Sequence, residues 1–257
     1  MLAIFADESD DGHTYTLGGW AISPHHYLIF RDQWRAMLQT IMLADGSPCP
    51  AFHASAMMRF KPPFDGWMDA DVCAAFDKAT TLVEKNREWA MKPVGVAAEI
   101  PANFKDVPRD SIWLLLFVGL FRLLSETDPA AMSIEFVFDE NKKIEGDAQR
   151  LHKAALDALA VIAPGRFLEG LTFTPDHVAP QVQAADFLMY EWRRRISKAH
   201  RFPEEPERPW FPRMRAARPD GALWRYGREV FEQALQADDQ SAAWAGAVMS
   251  GEPSHRD

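Results

Sequence analysis

The sequence predicts an α/β fold in which helices flank a mixed β-sheet. Two apolar runs near the N-terminus, 2–6 and 14–22, are typical of strands. Later strand-like runs alternate with segments of helical periodicity, which favours a sheet with some parallel strands. The 257 residues are 47% hydrophobic, enough for one large core.

A hairpin is predicted for the first two runs, because turn residues Asp10, Asp11 and Gly12 separate them. Gly18 and Gly19 in the second run indicate a bulge or a close backbone approach. Such a hairpin would form the start of the sheet.

Helices and strands alternate after the hairpin. Apolar residues at helical spacing predict helices over 27–43, 69–87, 110–127 and 147–162, and a further helix that carries Asp186 and ends near Lys198. Strand-like runs cover 89–100, 134–138 and 166–174. Proline in the first of these runs, Pro93, predicts a bulge or an edge strand there. Proline and glycine make 46–67 irregular.

The chain changes character near residue 200, which predicts a domain over 1–200 and a separate segment over 201–257. Five prolines alternate with charged and aromatic residues after this point, a composition that predicts a Pro/Arg-rich arm. A helix over 222–236 would pack on the domain, and the tail beyond Met249 would be frayed. Trp210 and Phe211 lie among arginines, so they could stack bases or pack the arm onto the domain.

Three acids occupy positions where a carboxylate needs an explanation. Asp7 follows the first strand, Asp139 follows the strand over 134–138, and Asp186 lies on a helix beside apolar residues. Burying a carboxylate costs several kcal/mol unless a partner or a cation offsets it. A bound metal ion is one explanation, and the ordinary preference of Asp for element ends is the other.

Carboxylates that hydrolyse a phosphodiester need divalent cations, since acids alone repel the phosphate. Two ions could share Asp7 as a bridging ligand, with Asp139 and Asp186 each on one ion. Glu8 is a candidate for a further catalytic carboxylate or ligand. Because all these ligands are oxygens, Mg²⁺ or Mn²⁺ is favoured over zinc.

The motifs resemble those of a known family in their order and spacing. They are, along the chain, Asp7-Glu8-Ser9, Phe52-His53-Ala54, Asp139 and Gln183-Ala184-Ala185-Asp186. This set is similar to the domain of unknown function 3800 family, which resembles ribonuclease H-like (retroviral-integrase-like) nucleases. The resemblance covers roughly the first 200 residues and implies a ribonuclease H-like domain with metal-dependent nuclease activity. The family's motif continues with Gly, where this chain has Asp10.

Three further residues are candidates for substrate binding. Gln183, one helical turn before Asp186, could orient that carboxylate or touch the substrate, or it could simply lie on a helix surface. His53 could carry protons near neutral pH, or it could make a local hydrogen bond. Arg194 belongs to the segment 193–228, which has eleven lysines and arginines against four acids. These cations could hold nucleic acid, although the run 193–195 could also be a solvated helix end.

Several other classes are disfavoured. Cys49 and Cys73 form no motif typical of a zinc site or disulfide framework. The apolar stretch 112–124 is too short to span a bilayer, and the chain starts without signal-peptide features, so we expect a cytoplasmic protein. Motifs of serine hydrolases, P-loop enzymes and dinucleotide oxidoreductases are missing.

The sequence therefore favours a metal-dependent nuclease acting on DNA or RNA, without a membrane partner. A non-catalytic module of the same fold, binding nucleic acid or protein, is the alternative, and the net charge of -9 supports it. A phosphohydrolase of small nucleotides is a third hypothesis. The sequence does not define the oligomeric state.

Overall fold

The computed structural model describes residues 2–86, 91–100, 109–127, 133–140, 167–201, 208–216, 221–226 and 255–256, and most of 142–153. Its strands are β1 (Leu2–Asp10), β2 (Thr14–Ile22), β3 (Lys92–Glu99), β4 (Ser133–Asp139), β5 (Phe167–Thr174), β6 (Ala222–Tyr226) and β7 (His255–Arg256). Its helices are α1 (Pro24–Leu38), α2 (Ala54–Met58), α3 (Asp69–Lys85), α4 (Arg109–Thr127), α5 (Gln181–Arg201) and α6 (Trp210–Ala216).

The described strands form one mixed sheet in the order β5-β4-β1-β2-β3-β6-β7. The first three strands pair antiparallel, so the predicted hairpin is confirmed. Strands β4 and β5 extend the sheet in parallel on the β1 side, and β6 pairs parallel with β3 on the other side. The predicted fold class, a mixed α/β sheet with flanking helices, is therefore confirmed.

The sheet separates two apolar cores. On one face Trp20 packs with residues of α1, α3, α5 and α6, including Trp34 and Phe187. On the other face α4 covers the sheet, with Trp113 and Phe117 packed among buried strand residues. The apolar stretch 112–124 thus lies within α4, at the helix predicted over 110–127. Among the described residues no helix is long and apolar enough to cross a membrane.

Gly19 lets helix α5 lie directly on the strands that carry the first acidic motif. A Cβ atom at this position would be 2.1 Å from the carbonyl oxygen of Phe5 and 2.5 Å from the Cβ of Ala185. At the neighbouring Gly18 a Cβ would be 2.3 Å from the carbonyl oxygen of Val94. The predicted close backbone approach at this glycine pair is therefore confirmed, and it determines where α5 meets the sheet.

Strand β3 differs from the prediction, because it lies inside the sheet between β2 and β6 without a bulge against β2. Proline has no N–H to donate to a neighbouring strand. Pro93 is tolerated because the ladder between β3 and β6 begins only at Val94, one residue later. The irregular segment 46–67 contains the short helix α2. The helix predicted over 147–162 lies largely outside the described residues.

The C-terminal segment also differs from the prediction. Residues 222–226 form β6, so the helix predicted over 222–236 is wrong at its start, and the rest of that range lies outside the described residues. Within the predicted frayed tail, His255–Arg256 pair with β6 as β7. In α6 the side chains of Trp210 and Phe211 are buried. Of the two predicted roles, base stacking and packing onto the domain, the structure therefore supports packing. The division of the chain at residue 200 stays a prediction.

Candidate active site

Asp7 and Asp139 lie side by side where the ladder of β1 and β4 ends, although Asp7 is inside β1 and does not follow it as predicted. Ala6 is paired with Phe138 in the parallel ladder of β1 and β4, so the next residue of each strand is an aspartate. Both carboxylates have the same local contact, because each accepts the backbone N–H of the following residue at 2.8 Å. The parallel register therefore brings together two acids that are far apart in the sequence.

Asp186 approaches this pair from helix α5. Its neighbour Ala185 is the residue against which Gly19 packs, so the helix carries Asp186 across the middle of β1 and β2, where Asp7 pairs with Gly18. The Oδ2 atom of Asp186 accepts the backbone N–H of Ala54 at 2.9 Å. This contact joins α5 to the start of α2 and fixes the direction of the carboxylate.

Burial raises the pKa of all three carboxylates, and the charges of neighbouring acids add to it. Burial raises the pKa of Asp7 well above its ordinary value, and the charges of Glu8, Asp186 and Asp139 raise it further. Burial, with the charge of Asp139 adding to it, raises the pKa of Asp186 to about 6, although the Ala54 N–H and His53 act in the opposite direction. Burial also raises the pKa of Asp139. Asp7, Asp139 and Asp186 thus share one poorly solvated region.

A fourth acid, Asp176, was missed by the sequence reasoning. It lies between β5 and α5, and its charge raises the pKa of both Asp139 and Asp186. Asp176 Oδ2 is 3.2 Å from Nε2 of His53, so the histidine segment and the acids meet here. The signal was present in the sequence, because Asp176 follows the strand-like run 166–174 as Asp7 and Asp139 follow the apolar runs 2–6 and 134–138.

Gln183 holds the segment that carries His53. Its side chain is buried, and its Oε1 accepts the indole N–H of Trp34 at 3.1 Å and the backbone N–H of Phe52 at 2.9 Å. The amide nitrogen donates to the carbonyl oxygen of Asp176 at 3.3 Å. These contacts are all with the protein, so Gln183 positions both segments around Asp186. Its predicted contact with substrate stays a prediction.

Arg193 is not part of a solvated helix end. It is buried, and its Nη1 is 3.0 Å from the Oδ2 of Asp11 while its Nε donates to the Oγ of Ser9 at 2.9 Å. Ser197 also donates to Asp11 Oδ2, at 2.6 Å. Helix α5 therefore holds the turn between β1 and β2, which contains Asp11.

The candidate ligands suit a hard divalent cation by donor type, since all are carboxylate oxygens. No lysine or arginine among the described residues forms an ion pair with Asp7, Asp139 or Asp186. In the same part of the chain, no three His, Cys, Asp or Glu side chains are already arranged as a metal-binding group. The donor set fits Mg²⁺ or Mn²⁺, and binding would require the carboxylates to draw together.

Comparison with known proteins found only a distant similarity to solved structures. No protein-family model matches this chain, and no curated protein matches it. One chain of the solved structure of the PCNA–RNase HII complex from Archaeoglobus fulgidus is similar to it, at 14% identity and a TM-score of 0.39. The match covers 84% of this chain and 86% of that chain. A likeness this distant bears on neither activity nor partners.

Proposed function

We propose that this protein is a metal-dependent nuclease of the ribonuclease H-like domain of unknown function 3800 family, acting in the cytoplasm on DNA or RNA. The observation that carries the proposal is the convergence of Asp7, Asp139 and Asp186 in one poorly solvated region. Because no described lysine or arginine forms an ion pair with it, such a group is costly to ionise at neutral pH. A bound cation would remove this cost, as expected for a catalytic metal site.

Asp7, Asp139 and Asp186 would hold Mg²⁺ or Mn²⁺, as one ion or as two with Asp7 between them. When bound, such ions lower the pKa of an attacking water and neutralise charge on the leaving oxygen. Glu8 adds negative charge beside Asp7 and would strengthen its hold on a cation. The Ala54 N–H keeps Asp186 aimed at the site, and this contact needs no metal.

His53 would move protons at the edge of the site. Half of its side chain is exposed, and its Nε2 faces Asp176 at 3.2 Å. The carboxylate orients the imidazole, as required of a group that transfers a proton to or from the reacting phosphate. Gln183, which holds the backbone on either side of this pair, would keep both groups in place.

A non-catalytic module that binds nucleic acid or protein is the second candidate. The observation in its favour is that no described His, Cys, Asp or Glu side chains form a ready metal-binding group. In such a module, the acids would serve structure, and the protein would bind its partner equally well without Mn²⁺.

The test is Mn²⁺ binding and cleavage by the wild type and by Asp7→Asn, which keeps the shape of the side chain. Calorimetric titration and labelled single- and double-stranded DNA and RNA give the two readouts. Asp65→Asn is the matched control, because Asp65 is an exposed loop acid. We expect Mn²⁺ binding and metal-dependent cleavage in the wild type and the control, both lost in Asp7→Asn. Retained nucleic-acid binding without Mn²⁺ binding or cleavage would favour the module instead.

A further inference from the structure

Phe60 has a backbone conformation that is unusual for a phenylalanine. It follows helix α2, and its N–H donates to the carbonyl oxygen of Met57 at 3.2 Å. The N–H of the next residue, Lys61, donates to the carbonyl oxygen of Ala56 at 3.0 Å. These two bonds define a Schellman motif, in which the residue at the position of Phe60 is left-handed and is usually glycine. Phe60 has a φ of 49°, and no other non-glycine residue of the described chain has a positive φ.

Packing in the described part of the chain does not explain a phenylalanine at this position. A bulky side chain is strained in the left-handed region, where glycine is not. Phe60 is 36% exposed and belongs to neither apolar core, although Ala56 and Met58 pack against one of them. The aromatic residues before and after it in the sequence, Phe52 and Phe64, are buried and contact other rings. A strained and exposed aromatic residue of this kind indicates a role outside the fold.

Helix α2 connects Phe60 to the acidic site. At its start, the N–H of Ala54 donates to the Oδ2 of Asp186 at 2.9 Å. At its end, the Sδ of Met58 is 3.2 Å from the Nη1 of Arg208. Phe60 follows Ala54 by six residues, so its backbone lies roughly 9 Å beyond the contact with Asp186, at a rise of about 1.5 Å per residue.

The surface between the acids and the ring is accessible. Half of the His53 side chain is exposed at the start of α2, and Ser55, Ala56 and Met58 are partly exposed along it. A stacked strand rises about 3.4 Å per nucleotide, so a distance of roughly 9 Å corresponds to about two to three nucleotides. A strand with one phosphate at the acids can therefore bring a nearby base onto the ring, whereas a mononucleotide is too short.

We propose that Phe60 is a stacking platform for a base of a single-stranded polynucleotide whose cleaved bond lies at Asp7, Asp139 and Asp186. This inference rests on the proposed function for the chemistry, and it deepens it by naming a single-stranded polymer as the substrate. A single strand can turn the face of a base onto an aromatic side chain, whereas the base pairs of a duplex cover those faces. Arg194 stays a predicted substrate contact, and the platform does not depend on it.

The test compares the wild type with Phe60→Gly by fluorescence anisotropy of labelled single-stranded DNA and RNA 20-mers. EDTA is present, so that metal-dependent cleavage does not occur. Phe60→Gly removes the ring and suits the left-handed backbone, so the turn after α2 is kept. Affinity should fall by about fivefold or more, which is the lower limit for stacking one base on an aromatic ring. Met42→Ala is the control, since it removes an apolar side chain from another exposed position, and it should bind as the wild type does.

Two more variants and two more ligands distinguish stacking from a structural role. Phe60→Trp should bind at least as tightly as the wild type, whereas Phe60→Leu, which is apolar but not aromatic, should bind as weakly as Phe60→Gly. An abasic 20-mer and a 20-mer duplex should each bind the wild type and Phe60→Gly equally. The platform would be overturned by equal affinities of the wild type and Phe60→Gly for the single strands. An equal loss of affinity for the abasic strand or the duplex would also overturn it.

Cleavage of the same single strands with Mn²⁺ separates the two proposals. If the wild type cleaves them and Phe60→Gly binds them as tightly as the wild type, the platform is wrong and the proposed function stands. If the single strands bind through Phe60 and Mn²⁺ produces no cleavage, the platform stands and the proposed function is wrong.

Discussion

The carboxylate of Asp186 and the backbone N–H of Ala54 are joined by a hydrogen bond of 2.9 Å. This bond connects the helix that carries the third acid to the segment that carries His53. Two motifs that are distant in the sequence thus become one structural unit. Substitutions on either side of this bond should affect the site and the stability of the fold together.

Asp186→Asn should stabilise the protein at neutral pH. Burial raises the pKa of Asp186 from an ordinary 3.8 to about 6, so between these values the folded state binds more protons than the unfolded state. The free energy of unfolding of the wild type therefore falls as pH rises through this window. Removing the charge in Asp186→Asn should raise the free energy of unfolding by on the order of 1 to 3 kcal/mol at pH 7.5.

Urea unfolding at pH 7.5 and pH 4 checks this prediction. The increase in the free energy of unfolding caused by Asp186→Asn should be smaller at pH 4, where most of the Asp186 carboxyl in the folded wild type is already protonated. Asp65→Asn, at an exposed loop position, serves as the control and should show no gain at either pH. A gain of equal size at both pH values would contradict the assigned cause.

Gln183→Leu should destabilise the protein by roughly 2 to 4 kcal/mol, because it leaves two buried donors without an acceptor. These donors are the indole N–H of Trp34 and the backbone N–H of Phe52. Gln39→Leu, at an exposed position, is the matched control. Chemical denaturation should show a lower free energy of unfolding only for Gln183→Leu. A decrease of similar size in both variants would argue against the positioning role.

Gly19→Ala should cost at least about 3 kcal/mol, because the added Cβ meets backbone that cannot move aside easily. The new atom would be 2.1 Å from the carbonyl oxygen of Phe5 and would also push on Ala185 of α5. Gly170→Ala in β5 is the comparison, since its Cβ would have its nearest neighbour at 3.6 Å. In thermal unfolding, Gly19→Ala should have a clearly lower melting temperature than Gly170→Ala. Equal melting temperatures would contradict the close packing of α5.

Ser197→Ala should weaken the link between α5 and the β1–β2 turn. Burial alone would raise the pKa of Asp11, but hydrogen bonds, the strongest of them from Ser197, and the charge of Arg193 bring it below its ordinary value. Stabilisation from a carboxyl of this kind is present above its unfolded pKa and is lost as the pH falls.

The expected cost of Ser197→Ala is about 1 to 2 kcal/mol at pH 7, with a smaller cost near pH 3. A double-mutant cycle with Asp11→Asn, measured by urea unfolding, isolates the contact. Ser197→Ala should cost clearly less in the Asp11→Asn background. An undiminished cost there would show that Ser197 acts through other neighbours.

Local sequence predicted which element each of the three acids belongs to, although Asp7 lies inside β1 (Leu2–Asp10) and does not follow it. Asp7 and Asp139 follow runs with strand periodicity, and Asp186 lies in a helix with an apolar face. Their convergence required the parallel pairing of β1 with β4, which no local pattern encodes. Asp176 was missed for a related reason, because its relation to the site depends on the position of β5 beside β4.

Strand β6 shows the limit of local periodicity most clearly. Tyr226 begins a helix-like spacing with apolar residues further along, and this spacing predicted a helix from residue 222. The alternation of burial within Ala222–Tyr226 instead follows from pairing with β3, which lies far earlier in the chain. A contact between segments so distant in sequence outweighs the local preference.

The parallel pairing of β6 with β3 has a consequence for synthesis on the ribosome. One edge of β3 has no described partner until Ala222–Tyr226 has been made, about 120 residues after β3 itself. At typical translation rates the nascent chain exposes that edge for on the order of 10 s. During this interval an open strand edge can pair with another chain, so newly made protein depends on chaperones more than the finished fold does.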